Sequence, residues 1–364
     1  MKKQTTFTVL LLTAAFFGFS VLCWVTPQKE YSVTERRKLA SFPELSLETL
    51  EDGSFMTDFE KYTLDQFPFR DKFRTMKSWV SESVLRKSDN NDIYIAEGHA
   101  VKMEYPLKED SLGHALEKFE KIYEQYLKES GSEIYLSVIP DKNYYMAEES
   151  GHLSMDYERL FEQMQEGMPY AEFIAVHDLL SAEDYYKTDV HWRQEKITDV
   201  AERLAEVMGA ELSGQYEEKT LENDFYGVYF GQSALNLPGE KLHYLTNDGL
   251  ERCTVFNYEN NQTTGIYHLE KADGNDPYEI FLSGPVSLLT IENPMAKSEK
   301  ELIVFRDSFG SSLIPLLAEG YQKTTLVDIR YIQSDFLPNF VDFTGKDVLF
   351  LYSTVVLNNS ETLK

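Results

Sequence analysis

The sequence predicts an α/β protein built on a parallel, doubly wound sheet. Two observations carry that expectation. Short apolar runs alternate with amphipathic helical stretches over residues 111–213, and the same rhythm resumes over 301–364. The apolar runs are also continuous rather than alternating, as strands covered on both faces require. At 364 residues the chain is long enough for one large or two modest domains with a buried core.

The elements follow in chain order. Residues 5–26 are an apolar run of 22 residues without a charge, preceded by Lys2 and Lys3. At about 1.5 Å per residue this run can cross a bilayer. It is long for a signal-peptide core and no small-x-small cleavage site follows, so residues 1–26 read as an uncleaved membrane anchor, with a cleaved signal as the alternative. Basic residues flank both sides of the run (Lys29, Arg36, Arg37 and Lys38 follow it), so sidedness rests on the long C-terminal part, which is expected to cross to the extracytoplasmic side. Residues 27–110 then read as a juxtamembrane linker, a helical region over 45–87 broken at Pro68, and a small hairpin over 93–103.

The first part of the α/β domain spans 111–213. A helix over 111–129 precedes a buried strand over 134–139, which ends at Pro140-Asp141-Lys142-Asn143. A helix over 157–168, a strand over 173–176 and a helix over 193–208 follow. Residues 214–300 break the rhythm and read as a β-rich insertion, able either to line a cleft or to serve as a plain structural insert. The second part, 301–364, supplies strands over 302–305, 324–329 and 348–352 and a helix over 310–320.

Composition narrows the function. The formal net charge of −26 excludes nucleic acid as an expected partner, because phosphate binding needs clustered Lys and Arg. Only Cys253 lies outside the apolar run, so the soluble part has no intrachain disulfide to form, which suits a bacterial envelope protein.

Two stretches carry candidate chemistry. In Thr188-Asp189-Val190-His191-Trp192, a carboxylate two residues before a histidine can hold Nδ1–H and leave Nε2 to accept a proton. The structural alternative makes Asp189 the N-cap of the helix over 193–208. In Phe305-Arg306-Asp307-Ser308-Phe309-Gly310, Ser308 falls between strand and helix at the sheet edge where α/β folds bind ligands; an ordinary serine N-cap is the alternative. A backbone N–H of Ser308 or Phe309 could hold an oxyanion at the helix start. Both stretches sit at predicted strand ends, so Asp189, His191 and Ser308 can converge as orienter, base and nucleophile. A cation site formed by His177, Asp178, Asp184, Asp189 and His191 is the competing chemistry, without metal-ligand spacing to support it. No metal and no organic cofactor are expected.

These stretches, with Asp65-Gln66-Phe67-Pro68-Phe69-Arg70-Asp71, Pro140-Asp141-Lys142-Asn143-Tyr144-Tyr145 and Tyr185-Tyr186-Lys187 leading into Thr188, resemble the DHHW family of bacterial envelope proteins. That family is related to the SGNH hydrolase-like O-acetyltransferase domains of alginate acetylation. The resemblance implies a circularly permuted SGNH hydrolase-like fold and a triad at Asp189, His191 and Ser308. Val190 stands where the family has its first histidine, so no role transfers to that position. Further candidates are Arg330 (substrate contact, or a salt bridge with Asp328 or Asp307), Asn358 or Asn359 (oxyanion donor, or a turn) and Lys142 (substrate orientation, or a solvated surface lysine). The reading is an O-acyl transferase or esterase acting on a cell-envelope polysaccharide, with a membrane-bound acyl-donor partner. The alternative is a non-catalytic SGNH-like module for glycan binding or envelope assembly.

Overall fold

The computed structural model describes residues 2–235 and 237–364; the expected anchor begins one residue earlier, at Met1, which lies outside them. The chain divides into two units, residues 1–91 with 230–236, and residues 92–229 with 237–364.

In the first unit a helix runs over Lys2–Val25. Its Gln4–Val25 portion is long and apolar enough to cross a membrane, which makes it a candidate anchor or signal. Helices Leu47–Glu51, Ser54–Asp65 and Arg70–Trp79 follow. The Asp65–Asp71 motif ties this region together. Gln66 accepts from Lys29 N–H and donates back to the Lys29 and Ala40 carbonyls, at 2.9 to 3.0 Å. Asp65 takes a two-pronged contact from Arg37 (2.5 and 2.8 Å), which holds its carboxyl down at about 2. Glu35 pairs with Arg70, Arg74 and Arg37.

The second unit contains an eight-stranded sheet whose strands, in chain order, are β1 (Glu133–Ile139), β2 (Glu172–Phe173), β3 (Thr254–Asn257), β4 (Gln262–Thr264), β5 (Leu288–Glu292), β6 (Glu301–Arg306), β7 (Lys323–Val327) and β8 (Asp347–Ser353). Their order across the sheet is β4-β3-β5-β7-β6-β8-β1-β2. The five strands from β7 to β2 are parallel, and β5, β3 and β4 continue the sheet in antiparallel fashion.

The alternation of side chains explains why these strands read as unbroken apolar runs. Leu302, Val304, Leu349 and Leu351 face one core, shared with helices Thr198–Val207 and Gly310–Leu317. Ile303, Phe305, Val348, Phe350 and Tyr352 face the other, shared with helices Glu109–Ile122 and Tyr157–Gly167. With both faces covered, each strand has no polar side to show.

Four departures from the sequence reading have local causes. The strand expected over 173–176 shortens to Glu172–Phe173, in register with Tyr135 and Leu136 of β1, and the last backbone bond to β1 is donated by Ile174 N–H to the Leu136 carbonyl. Helix Lys142–Ser150 occupies what reads as a loop, started by the Asp141 carboxylate accepting from Asn143 N–H at 2.8 Å. The helix expected over 193–208 begins at Thr198, after a short 3₁₀ turn over Gln194–Lys196. The stretch 214–300 is not all one module: Glu217–Phe225 pairs with Glu240–Thr246 as a separate hairpin, whereas β3, β4 and β5 extend the main sheet.

The result that matters for chemistry lies at one edge. The parallel strands β6, β8 and β1 end at Arg306, Ser353 and Ile139, with Ser353 opposite Ile139 and Arg306 opposite Leu351. The residues that follow these strand ends, Asp307-Ser308, Thr354 and Asp141-Lys142, therefore share the carboxyl edge of the sheet.

Candidate active site

The histidine loop is a narrow reversal. Tyr185 and Trp192 form an isolated antiparallel bridge, and Tyr186 N–H donates to the His191 carbonyl at 3.0 Å. At its tip Asp189 is fully buried. Its Oδ1 accepts from His191 N–H (3.1 Å) and from His191 Nδ1 (2.6 Å), and its Oδ2 accepts from Val228 N–H (2.8 Å). A carboxylate can only accept, so Nδ1 carries the proton and Nε2 is left as the acceptor. Asp189 thus caps its own loop and not the helix beginning at Thr198, whose N-cap is Ile197.

The backbone near Val228 reaches Asp189 only because residue 227 is glycine. A Cβ there would sit 2.3 Å from Asp189 Cβ and 2.4 Å from the Thr188 oxygen. Val190, the position where the resembling family has histidine, packs against the apolar cluster of Ile93, Ala100 and Tyr229.

Ser308 lies in the turn between β6 and helix Gly310–Leu317, and its Oγ is 2.8 Å from His191 Nε2. It is not a helix cap: the N-cap position belongs to Phe309 and carries no side-chain cap bond. The turn is held instead by the buried Asp307, whose Oδ1 accepts from Phe309 N–H (3.0 Å) and whose Oδ2 accepts from both Ser353 N–H (2.7 Å) and Ser353 Oγ (2.6 Å). The turn that carries Ser308 is therefore tied to the end of β8.

Trp192 joins the two stretches. Its indole N–H is 3.0 Å from both the Phe309 carbonyl and Ser312 Oγ. Tyr278 closes the site from the other side, with its ring stacked on the His191 imidazole at 3.9 Å and 7° and its hydroxyl donating to Ser312 Oγ at 2.8 Å. Trp192, Tyr278 and the buried Ser312 thus fix the plane of the imidazole relative to Ser308.

The remaining candidates fall elsewhere. Phe309 N–H is already donated to Asp307, so of the two amides considered for an oxyanion only that of Ser308 has no hydrogen-bond partner among the described residues. Arg330 forms a two-pronged pair with the buried Asp328 (Nε to Oδ1 2.9 Å, Nη2 to Oδ2 2.6 Å), so its guanidinium serves the salt bridge. Asn358 is buried with its amide spent on Lys108 N–H (2.8 Å) and the Pro106 carbonyl (3.2 Å). The cluster proposed for a cation is drawn apart. His177 stacks on Phe161, Asp178 pairs with Arg203, and Asp184 accepts from Ser181, while Asp189 and His191 bond each other.

Lys142 is the largest correction. It is not a surface lysine but a buried one, donating to the carbonyls of Tyr186 (2.8 Å) and Lys187 (3.3 Å) at the base of the histidine loop. Burial pushes its ammonium down to about 7, against the opposing pull of Asp189, Glu240 and Asp141. The sign of the consequence follows from linkage. Between about pH 7 and the ordinary lysine value of about 10.4, the unfolded chain holds a proton that the folded chain has shed, so stability rises with pH across that window. Urea unfolding between pH 7.5 and 9.5, a window set by those two values, is expected to show this rise in the wild type and a flatter profile in Lys142→Met.

Neither tyrosine stacking nor a glycine behind the carboxylate has a local sequence signature. Only the folded chain brings Tyr278 and Gly227 to the site.

Comparison with solved structures gives the fold. The chain is similar to a DHHW family protein from Eubacterium siraeum, with a TM-score of 0.61 and 20% identity over 75% of this chain and 95% of that one. It is also similar to Bacillus cereus PatB1 carrying a sulfonyl adduct (TM-score 0.59, 18% identity, 73% of this chain and 94% of the other). A second structure of PatB1 aligns with a TM-score of 0.53 and 18% identity, over 73% of this chain and 96% of the other. No family model and no curated protein matches the chain. The expected likeness to the DHHW fold is thus found, in an α/β sheet flanked by helices.

Proposed function

We propose that this chain is an SGNH-type O-acyltransferase or esterase, with acetyl as the transferred group and a cell-envelope polysaccharide as its substrate. The observation that carries the reading is the continuous hydrogen-bond path from Asp189 through His191 to Ser308 Oγ, with links of 2.6 and 2.8 Å. In this reading Ser308 Oγ attacks the acyl carbonyl of the donor while His191 Nε2 takes its proton. The free Ser308 N–H, at the start of helix Gly310–Leu317, faces the developing oxyanion. Collapse breaks the donor's C–O bond, and the leaving alcohol takes the proton from His191. A glycan hydroxyl, or water in an esterase, then gives its proton to His191 and attacks the acyl carbonyl, and as the acyl–Ser308 bond breaks His191 Nε2 returns the proton to Ser308 Oγ.

The sulfonyl adduct on PatB1 supports the choice of chemistry, because sulfonyl electrophiles are captured by activated nucleophiles. The apolar N-terminal helix supports a membrane anchor, and in this reading the catalytic unit lies on the extracytoplasmic side. A donor must then be supplied there, which calls for a membrane-bound acyl-donor partner.

The test uses a sulfonyl fluoride and a set of acyl esters. The wild-type chain is expected to hydrolyse an activated acetyl ester and to acquire one sulfonyl group, found by peptide mass spectrometry on Ser308. A wild-type chain inert to every ester and unlabelled by the probe would sink the enzymatic reading.

A further inference from the structure

Helix Arg70–Trp79 is turned inside out for a segment in water. Its polar side faces its own unit: Arg74 Nη2 donates to the carbonyls of Gly231 (2.8 Å) and Gln232 (3.1 Å), and Ser78 Oγ donates to that of Ser233 (3.0 Å). Its outer side carries Phe73, Met76 and Trp79, with Phe69 just ahead, at 38, 55, 59 and 58% exposure. At 3.6 residues per turn these positions fall on one stripe. Lys77 lies at one edge of the stripe, and Lys72 starts within it, its ammonium 5.8 Å from the Phe69 ring centroid and its long stem able to carry the charge to the rim. An apolar stripe edged by lysines is the pattern of a helix lying in a lipid interface.

The apolar N-terminal helix says where that stripe is. Phe19 stacks on Phe67 (5.8 Å, 14°) and meets Phe73 edge-on (6.0 Å). Phe19 lies six residues before the helix end at Val25, about 9 Å along its axis. Interfacial helices bury their apolar face by about 5–10 Å. The two depths agree, so side chains that touch Phe19 stand at the boundary of any bilayer that the N-terminal helix crosses.

The geometry points to the stripe of Phe69, Phe73, Met76 and Trp79 as a second membrane contact, seated in the headgroup region of the leaflet from which the N-terminal helix emerges. Lys72 and Lys77 reach up to anionic lipid phosphates, their stems covering the rim of the stripe. The consequence for function is that the juxtamembrane segment is held against the membrane rather than acting as a free tether. This inference rests on the anchor reading, and the experiment separates the two.

The test uses the full chain with Cys23→Ser, which leaves only the buried Cys253, and a single new cysteine carrying an environment-sensitive fluorophore. The proteins are reconstituted in phosphatidylcholine–phosphatidylglycerol vesicles containing nitroxide lipids. With the fluorophore at Met76→Cys, a nitroxide near the carboxyl end of the acyl chain is expected to quench strongly, and one at the methyl end weakly. At Phe16→Cys, deeper in the N-terminal helix, the preference is expected to shift towards the methyl end. Quenching at Phe16 without quenching at Met76 overturns the interfacial contact and leaves the anchor standing. Quenching at neither overturns both. An unquenched Met76→Cys that crosslinks between copies would make the stripe a self-association face and would also overturn the lipid contact.

Discussion

Replacing Ser308 by alanine is expected to lower acyl-ester turnover by about 10⁴-fold or more, the scale on which nucleophile loss is felt in serine hydrolases. The substitution removes one oxygen from a half-buried position and leaves its surroundings intact. Asp307 holds the turn through Phe309 and Ser353, Trp192 holds the histidine loop through Phe309 and Ser312, and neither uses the Ser308 hydroxyl. Thermal unfolding should therefore shift little, so lost turnover reports chemistry rather than folding. The sulfonyl probe supplies a second readout, because labelling should vanish together with turnover. Residual turnover equal to the wild type, with the fold unchanged, would mean that Ser308 is not the nucleophile.

The sequence showed most of the sheet because its strands are covered on both sides. The runs around Val304 and Phe350 admit no helical or alternating pattern, and both proved to be central strands. β5 was not legible for a related reason. Leu288–Glu292 is bounded by a polar, turn-rich stretch, and its place beside β7 is set by antiparallel pairing with residues more than thirty positions away. The candidate site divides in the same way. Asp189, His191 and Ser308 could be suspected because strand ends converge in a parallel sheet, whatever the length of chain between them. Lys142 could not, because lysine is exposed by default and only the tertiary fold buries it under Tyr186 and Lys187. Tyr278 reaches His191 across 87 residues through ring stacking alone, an interaction with no spacing rule. The Asp65–Asp71 motif was visible as a motif, but its work is structural: Gln66 and Asp65 clamp the segment that leaves the N-terminal helix.

Asp189→Asn should be nearly as damaging as loss of the nucleophile, although it changes one atom. The carboxylate accepts from donors at both oxygens: His191 N–H and Nδ1–H on Oδ1, and Val228 N–H on Oδ2. An asparagine amide has one accepting end and one donating end. With its oxygen towards His191, its NH₂ meets Val228 N–H at a separation that is 2.8 Å in the wild type, and two donors face each other in a buried site. With the amide flipped, its NH₂ faces Nδ1, which must then accept, and the imidazole proton moves to Nε2. The histidine can no longer take the proton from Ser308 Oγ. The flipped state is expected to cost about 10⁴-fold in turnover, as tautomer reversal does in serine proteases. The two outcomes separate by measurement. Either orientation turns the amide NH₂ onto one buried backbone N–H, that of Val228 or that of His191, so both lose stability in urea; the unflipped form keeps partial activity, and the flipped form shows the Nε2 proton in the nitrogen NMR spectrum of labelled histidine. Full activity with unchanged stability would place the orientation of His191 outside the control of Asp189.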